Sequence, residues 1–215
     1  MNRYLGFEMR LIISFLMMGL FLLPSSKVQA DSSKPASDAF LRIQNEARQI
    51  QTLQAAFVQK KQLKMLVRPL VSRGLFVFKA PSSIRWEYQR PVRSVLIMHQ
   101  GEVKRLFEKD GKMVPDTTVN LQAMQVVMRN ITDWLGGRFE ENPDFNAQFA
   151  ANRIVLKPSG SMTGLIGRIE LHLSKKPGII DKIHIYEDNE NDTIIEFEAL
   201  RINGRVSNTT FQENP

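Results

Sequence analysis

The sequence predicts an α+β protein in which two amphipathic helices cover the apolar face of an antiparallel sheet that is curved or closed. Three observations carry that expectation. The stretch from Gly74 to Pro91 reads as a hairpin with a large aromatic face. The chain beyond residue 150 is a succession of short alternating runs separated by turn signals. Two other segments, one after Ser37 and one after Val119, place apolar residues three and four apart, the spacing of an amphipathic helix.

The hairpin is the clearest element. Leu75 to Phe78 is apolar on both faces, Pro81-Ser82-Ser83 marks the turn, and Pro91 ends the returning run. In that run Ile84, Trp86 and Tyr88 alternate with Arg85, Glu87 and Gln89, so one face is expected to be buried and the other wet. The first helix is expected from Ser37, its cap, through Phe40, Ile43, Ala47, Ile50, Leu53 and Phe57. Val58 to Ser72 reads as strand or loop, with Met65 and Leu66 at a rim. Val95 to Met98 and Val103 to Glu108 read as strands, the second ending at Asp110-Gly111, and Met113 to Thr118 as loop. The second helix carries Leu121, Met124, Val127, Met128, Ile131, Trp134 and Leu135 on one side and ends at Gly136-Gly137. Its methionines suit a surface that repacks around varied apolar partners. Later strands are expected at Phe145 to Ala150, Asn152 to Lys157, Leu165 to Ser174, Ile179 to Tyr186 and Thr193 to Ile202. Ile169 and Leu171, and then Ile183 and Ile185, take the apolar positions of two of them.

Composition and address narrow the function. Arg3 and Arg10 precede an apolar run from Leu11 to Leu23, too short for a spanning helix of roughly 20 residues. Pro24-Ser25-Ser26 breaks the run, and Val28-Gln29-Ala30 offers a cleavage site before Asp31. Residues 1–30 are therefore expected to be a signal peptide and residues 31–215 one domain, delivered to the periplasm. There are no cysteines and only three histidines, and the formal net charge is +7 at pH 7. Without cysteine there is neither a disulfide framework nor a lipidated thiol. No basic cluster interleaves with aromatics, so nucleic acid is not an expected partner. There is no serine elbow and no phosphate-cradling glycine loop. His172 and His184 fall on a wet strand face near Glu170, where solvated histidines are the ordinary outcome. What remains is an apolar face with a methionine-rich cover. It points to binding and not to catalysis, with no cofactor and no metal.

These residues resemble a known family, the periplasmic outer-membrane lipoprotein carriers or LolA-like proteins. The resemblance runs through Phe57-x-Gln59, Gly74-x-Phe76-x-Phe78-Lys79-x-Pro81, Ile84-Arg85-Trp86-Glu87-Tyr88 and Pro91. It extends loosely through the later meander and covers most of residues 37–211. It implies an incomplete, strongly curved antiparallel barrel, a half-barrel, with amphipathic helices as a lid over an apolar cavity. It also implies a monomeric carrier that takes acyl chains from an inner-membrane transporter and hands them to an outer-membrane acceptor. The cargo is an acylated lipoprotein or another exported lipid. On this reading Phe57, Phe76, Phe78, Ile84, Trp86, Tyr88, Ile169, Leu171, Ile183 and Ile185 line the cavity, and Met124, Val127, Met128 and Ile131 close over it. Lys79, Ala80, Pro81 and Arg85 belong to the turn beneath the lid. Family carriers have an arginine before the turn proline that helps to hold the lid shut. Here that residue is Ala80, so the lid is expected to be looser, or latched from Arg85. The alternative reading is a periplasmic lipid- or lipoprotein-sensing regulatory protein of the same fold, although such sensors usually carry a second domain.

Overall fold

The computed structural model describes residues 38–118, 121–140, 142–150, 152–159, 163–164, 166–176, 178–187 and 190–213. The expected signal peptide, the cap at Ser37, Val119, Leu165, Pro177 and the Asp188-Asn189 turn lie outside them. Helix α1 (Asp38–Arg48) is followed by strands β1 (Thr52–Gln62), β2 (Leu70–Lys79), β3 (Ser83–Arg90), β4 (Ser94–His99), β5 (Glu102–Lys109) and β6 (Lys112–Pro115). Helix α2 (Leu121–Leu135) leads to β7 (Phe145–Ala150), β8 (Arg153–Pro158), β9 (Arg168–Leu173), β10 (Ile180–Tyr186) and β11 (Asp192–Ile202). A short 3-10 turn, Asn208–Phe211, follows.

Among the described residues, eleven strands form one antiparallel sheet in the order β6-β5-β4-β3-β2-β1-β11-β10-β9-β8-β7. Every pairing joins consecutive strands except one, β1 with β11, which joins the two halves of the chain. The sheet is open, with β6 and β7 as its edges. Asn203 fastens the central seam: its Oδ1 accepts from the backbone nitrogens of Gln51 at 2.7 Å and Thr52 at 3.3 Å.

The first helix is shorter than its apolar spacing predicts. It stops at Arg48, and Leu53 and Phe57 lie on β1. Positions 53, 55, 57 and 59 share one face of an extended chain, and 50, 53 and 57 also satisfy helical spacing. Pairing settles the ambiguity, because β1 has a partner on each side, β2 and β11, which together satisfy its backbone groups. The expected loop at Met113 to Thr118 likewise begins as a strand, β6.

The inner face of the sheet carries the main core. One register row runs Leu53, Phe78, Ile84, Met98 and Val103, and the next runs Ala55, Phe76, Trp86, Leu96 and Arg105. In the other half, Ile195, Ile183, Leu171 and Ile154 lie side by side across β11, β10, β9 and β8. Both helices pack on this face. Phe40 of α1 meets Phe139 and Phe149, with ring centroids 6.1 and 5.9 Å away, and Trp134 of α2 meets Phe145 at 5.5 Å. Gly137, with φ at 72°, ends α2 in the left-handed region, and a Cβ there would lie 2.5 Å from the Gln44 carbonyl oxygen of α1.

Gly74 sits at an inward position of β2 between two aromatic rings. Phe57 and Tyr88 meet edge-on across it, centroids 5.1 Å apart. A Cβ at Gly74 would collide with the Glu87 carbonyl oxygen and lie 2.8 Å from Phe57 Cε1. Gly74→Ala is therefore expected to destabilise the protein by about 1–3 kcal/mol, the usual range for overpacking. The check is a urea midpoint, and an unchanged midpoint would mean that the rings part without penalty.

Candidate functional site

The hairpin of β2 and β3 places Phe76, Phe78, Ile84, Trp86 and Tyr88 on the inner face, as the alternation requires. Phe57 joins them from β1, and Phe197 from β11 completes an aromatic cluster around Trp86. Ile169, Leu171, Ile183 and Ile185 continue the same apolar cluster in the other half of the sheet. From α2, Met128 is fully buried and Ile131 is packed against the cluster, whereas Met124 and Val127 are half-buried. The strand residues expected to line the site thus fall on one face of the sheet, against which α2 sets Met128 and Ile131. The helix reaches the sheet through a side chain as well, Gln125 Nε2 donating to the Gly101 carbonyl at 3.1 Å.

The turn residues divide differently. Ala80 is partly buried against the main core, and Pro81 is exposed at the turn. Lys79 and Arg85 point to the outer face, so neither is a latch for the helices. Lys79 Nζ donates to Asn208 Oδ1 at 2.6 Å and to the Val206 carbonyl at 3.3 Å. Arg85 is buried, contrary to the wet face expected for it. Its Nε and Nη2 bind Glu87 Oε2 at 3.0 and 2.8 Å, and its Nη1 donates to the carbonyls of Gln212 at 3.0 Å and Thr210 at 3.5 Å. The reason is the C-terminal segment, which crosses the outer face here and seats Phe211 on Val95, Ile97 and Leu106.

The inner face also holds polar groups that alternation alone did not single out. Arg105 faces inward beside Leu96 and is buried. Its Nε lies 3.3 Å from Asp116 Oδ2, an oxygen that is itself buried and accepts no hydrogen bond. The other oxygen, Oδ1, accepts from the Thr118 backbone at 3.0 Å and hydroxyl at 2.6 Å. Burial pulls the Arg105 guanidinium below its usual range, against the opposing pull of Asp116 and Tyr88. Burial also pushes the Tyr88 phenol well above its usual range, with Arg105 opposing. The Tyr88 hydroxyl donates to Gln59 Oε1 at 2.9 Å. The signal for Arg105 was present in the sequence. It shares the parity of Val103 and Phe107, and Asp116 follows the next strand.

The two strand histidines lie near different carboxylates, and only His184 hydrogen-bonds to its own. His184 Nε2 is 2.7 Å from Asp192 Oδ2, and His172 Nε2 is 3.6 Å from Glu170 Oε2. Among the described residues no group of three or more His, Cys, Asp or Glu side chains is placed to hold a metal ion. Among the same residues no helix is long and apolar enough to cross a membrane.

An open antiparallel sheet with helices over its apolar face defines the half-barrel class. The family is shown by sequence: residues 48–214 match the model of the outer membrane lipoprotein carrier protein LolA, and the chain belongs to that family. An outer-membrane lipoprotein carrier protein of Helicobacter pylori strain J99 is 23% identical over 175 residues, covering 81% of this chain and 83% of its own. Among solved structures, a LolA superfamily protein from Nitrosomonas europaea aligns with TM-score 0.44 and 8% identity over 82% of this chain and 99% of its own. MucB in its complex with MucA from Pseudomonas aeruginosa aligns with TM-score 0.41 and 14% identity over 83% of this chain and 60% of its own.

Proposed function

We propose that this chain is a periplasmic carrier that holds the acyl chains of a lipoprotein, or of a related exported lipid, against the inner face of the sheet beneath α2. It takes them from an inner-membrane transporter and passes them to an outer-membrane acceptor. Residues 1–30 direct export and are removed. The observation that carries the reading is the continuity of the inner face. Aromatic and aliphatic side chains run across it from β3 to β10, and α2 covers part of it with Met128, Ile131 and Trp134. Acyl chains favour such a surface, since each CH₂ withdrawn from water is worth about 0.8 kcal/mol. The face is covered in this conformation, so loading requires α2 to shift and expose it. A helix that packs largely through methionine and aliphatic contacts is suited to that, because those contacts re-form around a different apolar partner.

Trp86→Glu tests the site. A carboxylate at that position faces hydrocarbon and is unfavourable unless paired or neutralised. Binding of an apolar fluorescent probe is expected to fall at least tenfold, with the sheet retained by circular dichroism. Undiminished probe binding in a folded variant would place the cargo elsewhere.

A further inference from the structure

The inner face is not uniformly apolar: buried Lys61 and Thr193 pair across the β1–β11 seam, the Trp134 indole nitrogen is buried without a partner over Phe145, and further polar groups lie in the β1–β5 half. In the β8–β11 half, the register row of Ile195, Ile183, Leu171 and Ile154 is purely aliphatic. In the β1–β5 half the face is aromatic and carries hydrogen-bonding groups. Trp86 is only 7% exposed, and its indole Nε1 is buried without a hydrogen-bond partner. Its neighbours on the face are the Tyr88–Gln59 hydrogen bond and the buried Arg105. Arg105 lies two strands from Trp86 in the same register row, about 10 Å away at the usual strand spacing. A buried N–H without an acceptor is uncommon in a folded protein and calls for an explanation. Four rings, Phe57, Phe76, Tyr88 and Phe197, pack around this one, and none of their faces is an acceptor of comparable strength.

We infer that the cargo is oriented: a carbonyl oxygen at the head of its acyl chain accepts from Trp86 Nε1 on the aromatic side, and the hydrocarbon extends over the aliphatic β8–β11 side. The inference rests on the proposed reading of this face as an acyl site and adds the chemical group that the site selects. A plain hydrocarbon leaves the indole N–H unpaired, whereas an ester or a carboxylate satisfies it. Arg105, in the same row, favours a carboxylate further, although Asp116 already neutralises much of its charge.

The test compares three ligands with the same chain length: palmitic acid, methyl palmitate and hexadecane, each displacing an apolar fluorescent probe. Trp86→Phe keeps an aromatic ring and removes the donor. It is expected to weaken the acid, the ester or both by about three- to tenfold more than it weakens hexadecane, the worth of one net hydrogen bond. Loss for both ligands identifies any acyl carbonyl as the acceptor; loss for the acid alone identifies a free carboxylate. Equal weakening of all three ligands, or of none, overturns the inference while leaving the acyl site standing. If the wild-type protein binds none of the three, the acyl-site reading falls and takes the inference with it. A second measurement needs no variant of Trp86. The chain has two tryptophans, and Trp134→Phe assigns their indole N–H resonances. Methyl palmitate is expected to move the Trp86 resonance downfield, and hexadecane is not. A Trp86 resonance that responds alike to both ligands contradicts the assignment.

Discussion

Asp116→Ala is expected to lower stability by about 3–5 kcal/mol, the cost of leaving one partner of a buried ion pair alone. Asp116 and Arg105 have side chains that are 0% and 4% exposed, so no solvent is at hand to replace the lost charge. The carboxylate also organises the chain entering α2 through Thr118, and its backbone nitrogen donates to the Arg105 carbonyl at 2.9 Å. The loss should appear as a lower urea midpoint at constant slope, with faster hydrogen exchange at the start of α2. The double variant Arg105→Met with Asp116→Leu provides the control. Replacing a buried pair by apolar side chains of similar size is often neutral or stabilising, so this variant should recover most of the loss. If the single and the double variant are equally unstable, packing and not charge explains the site.

Phe211→Ala is the second large effect. Phe211 is 4% exposed, stacks on His99 with ring centroids 5.2 Å apart, and fills a small cluster on the outer face with Val95, Ile97 and Leu106. Burying a phenylalanine and then removing it typically costs 3–5 kcal/mol, and a peripheral cluster that can partly collapse belongs near the lower end, about 3 kcal/mol. The consequence reaches further than the cavity. Arg85 donates to the carbonyls of Thr210 and Gln212, which flank Phe211 in the chain, so loss of the ring frees the segment that satisfies a buried guanidinium. Proteolysis beyond Asn203 should accelerate as the midpoint falls. A variant with wild-type stability and protease resistance would mean that the polar contacts of Lys79 and Arg85, with that of Lys104 Nζ to Glu213 Oε1 at 3.0 Å, hold the segment without its anchor.

The architecture was legible wherever one periodicity was unambiguous. Ile84, Trp86 and Tyr88 alternate over a full strand, and Met124 to Leu135 repeats over three turns, so both elements lie where their patterns place them. Residues 53 and 57 fit two periods at once. Only the flanking strands, one of them from the far end of the chain, decide between those periods. The burial of Arg85 was hidden for a related reason. Its alternation gives the correct face, but that face is covered by residues more than a hundred positions later in the chain, and local pattern carries no trace of such a contact. Arg105 shows the converse case. An arginine at an inward position reads as a break in the pattern until Asp116 is seen beside it.

The placement of β11 beside β1 has a consequence for the order in which the molecule assembles. Strands β1 to β6 are each joined to the next by a short connection, and so can pair as soon as they exist. The outer edge of β1, however, awaits residues 192–202, which are synthesised roughly 130 residues after it. Until then Thr52–Gln62 presents an open row of amides and carbonyls next to its most aromatic neighbours, the kind of edge that templates misassembly between chains. Pairings between distant residues are slow to form because the intervening loop must first be closed. The half-finished sheet is thus the vulnerable species of this protein, and a fragment ending before Asp192 would keep that edge open permanently.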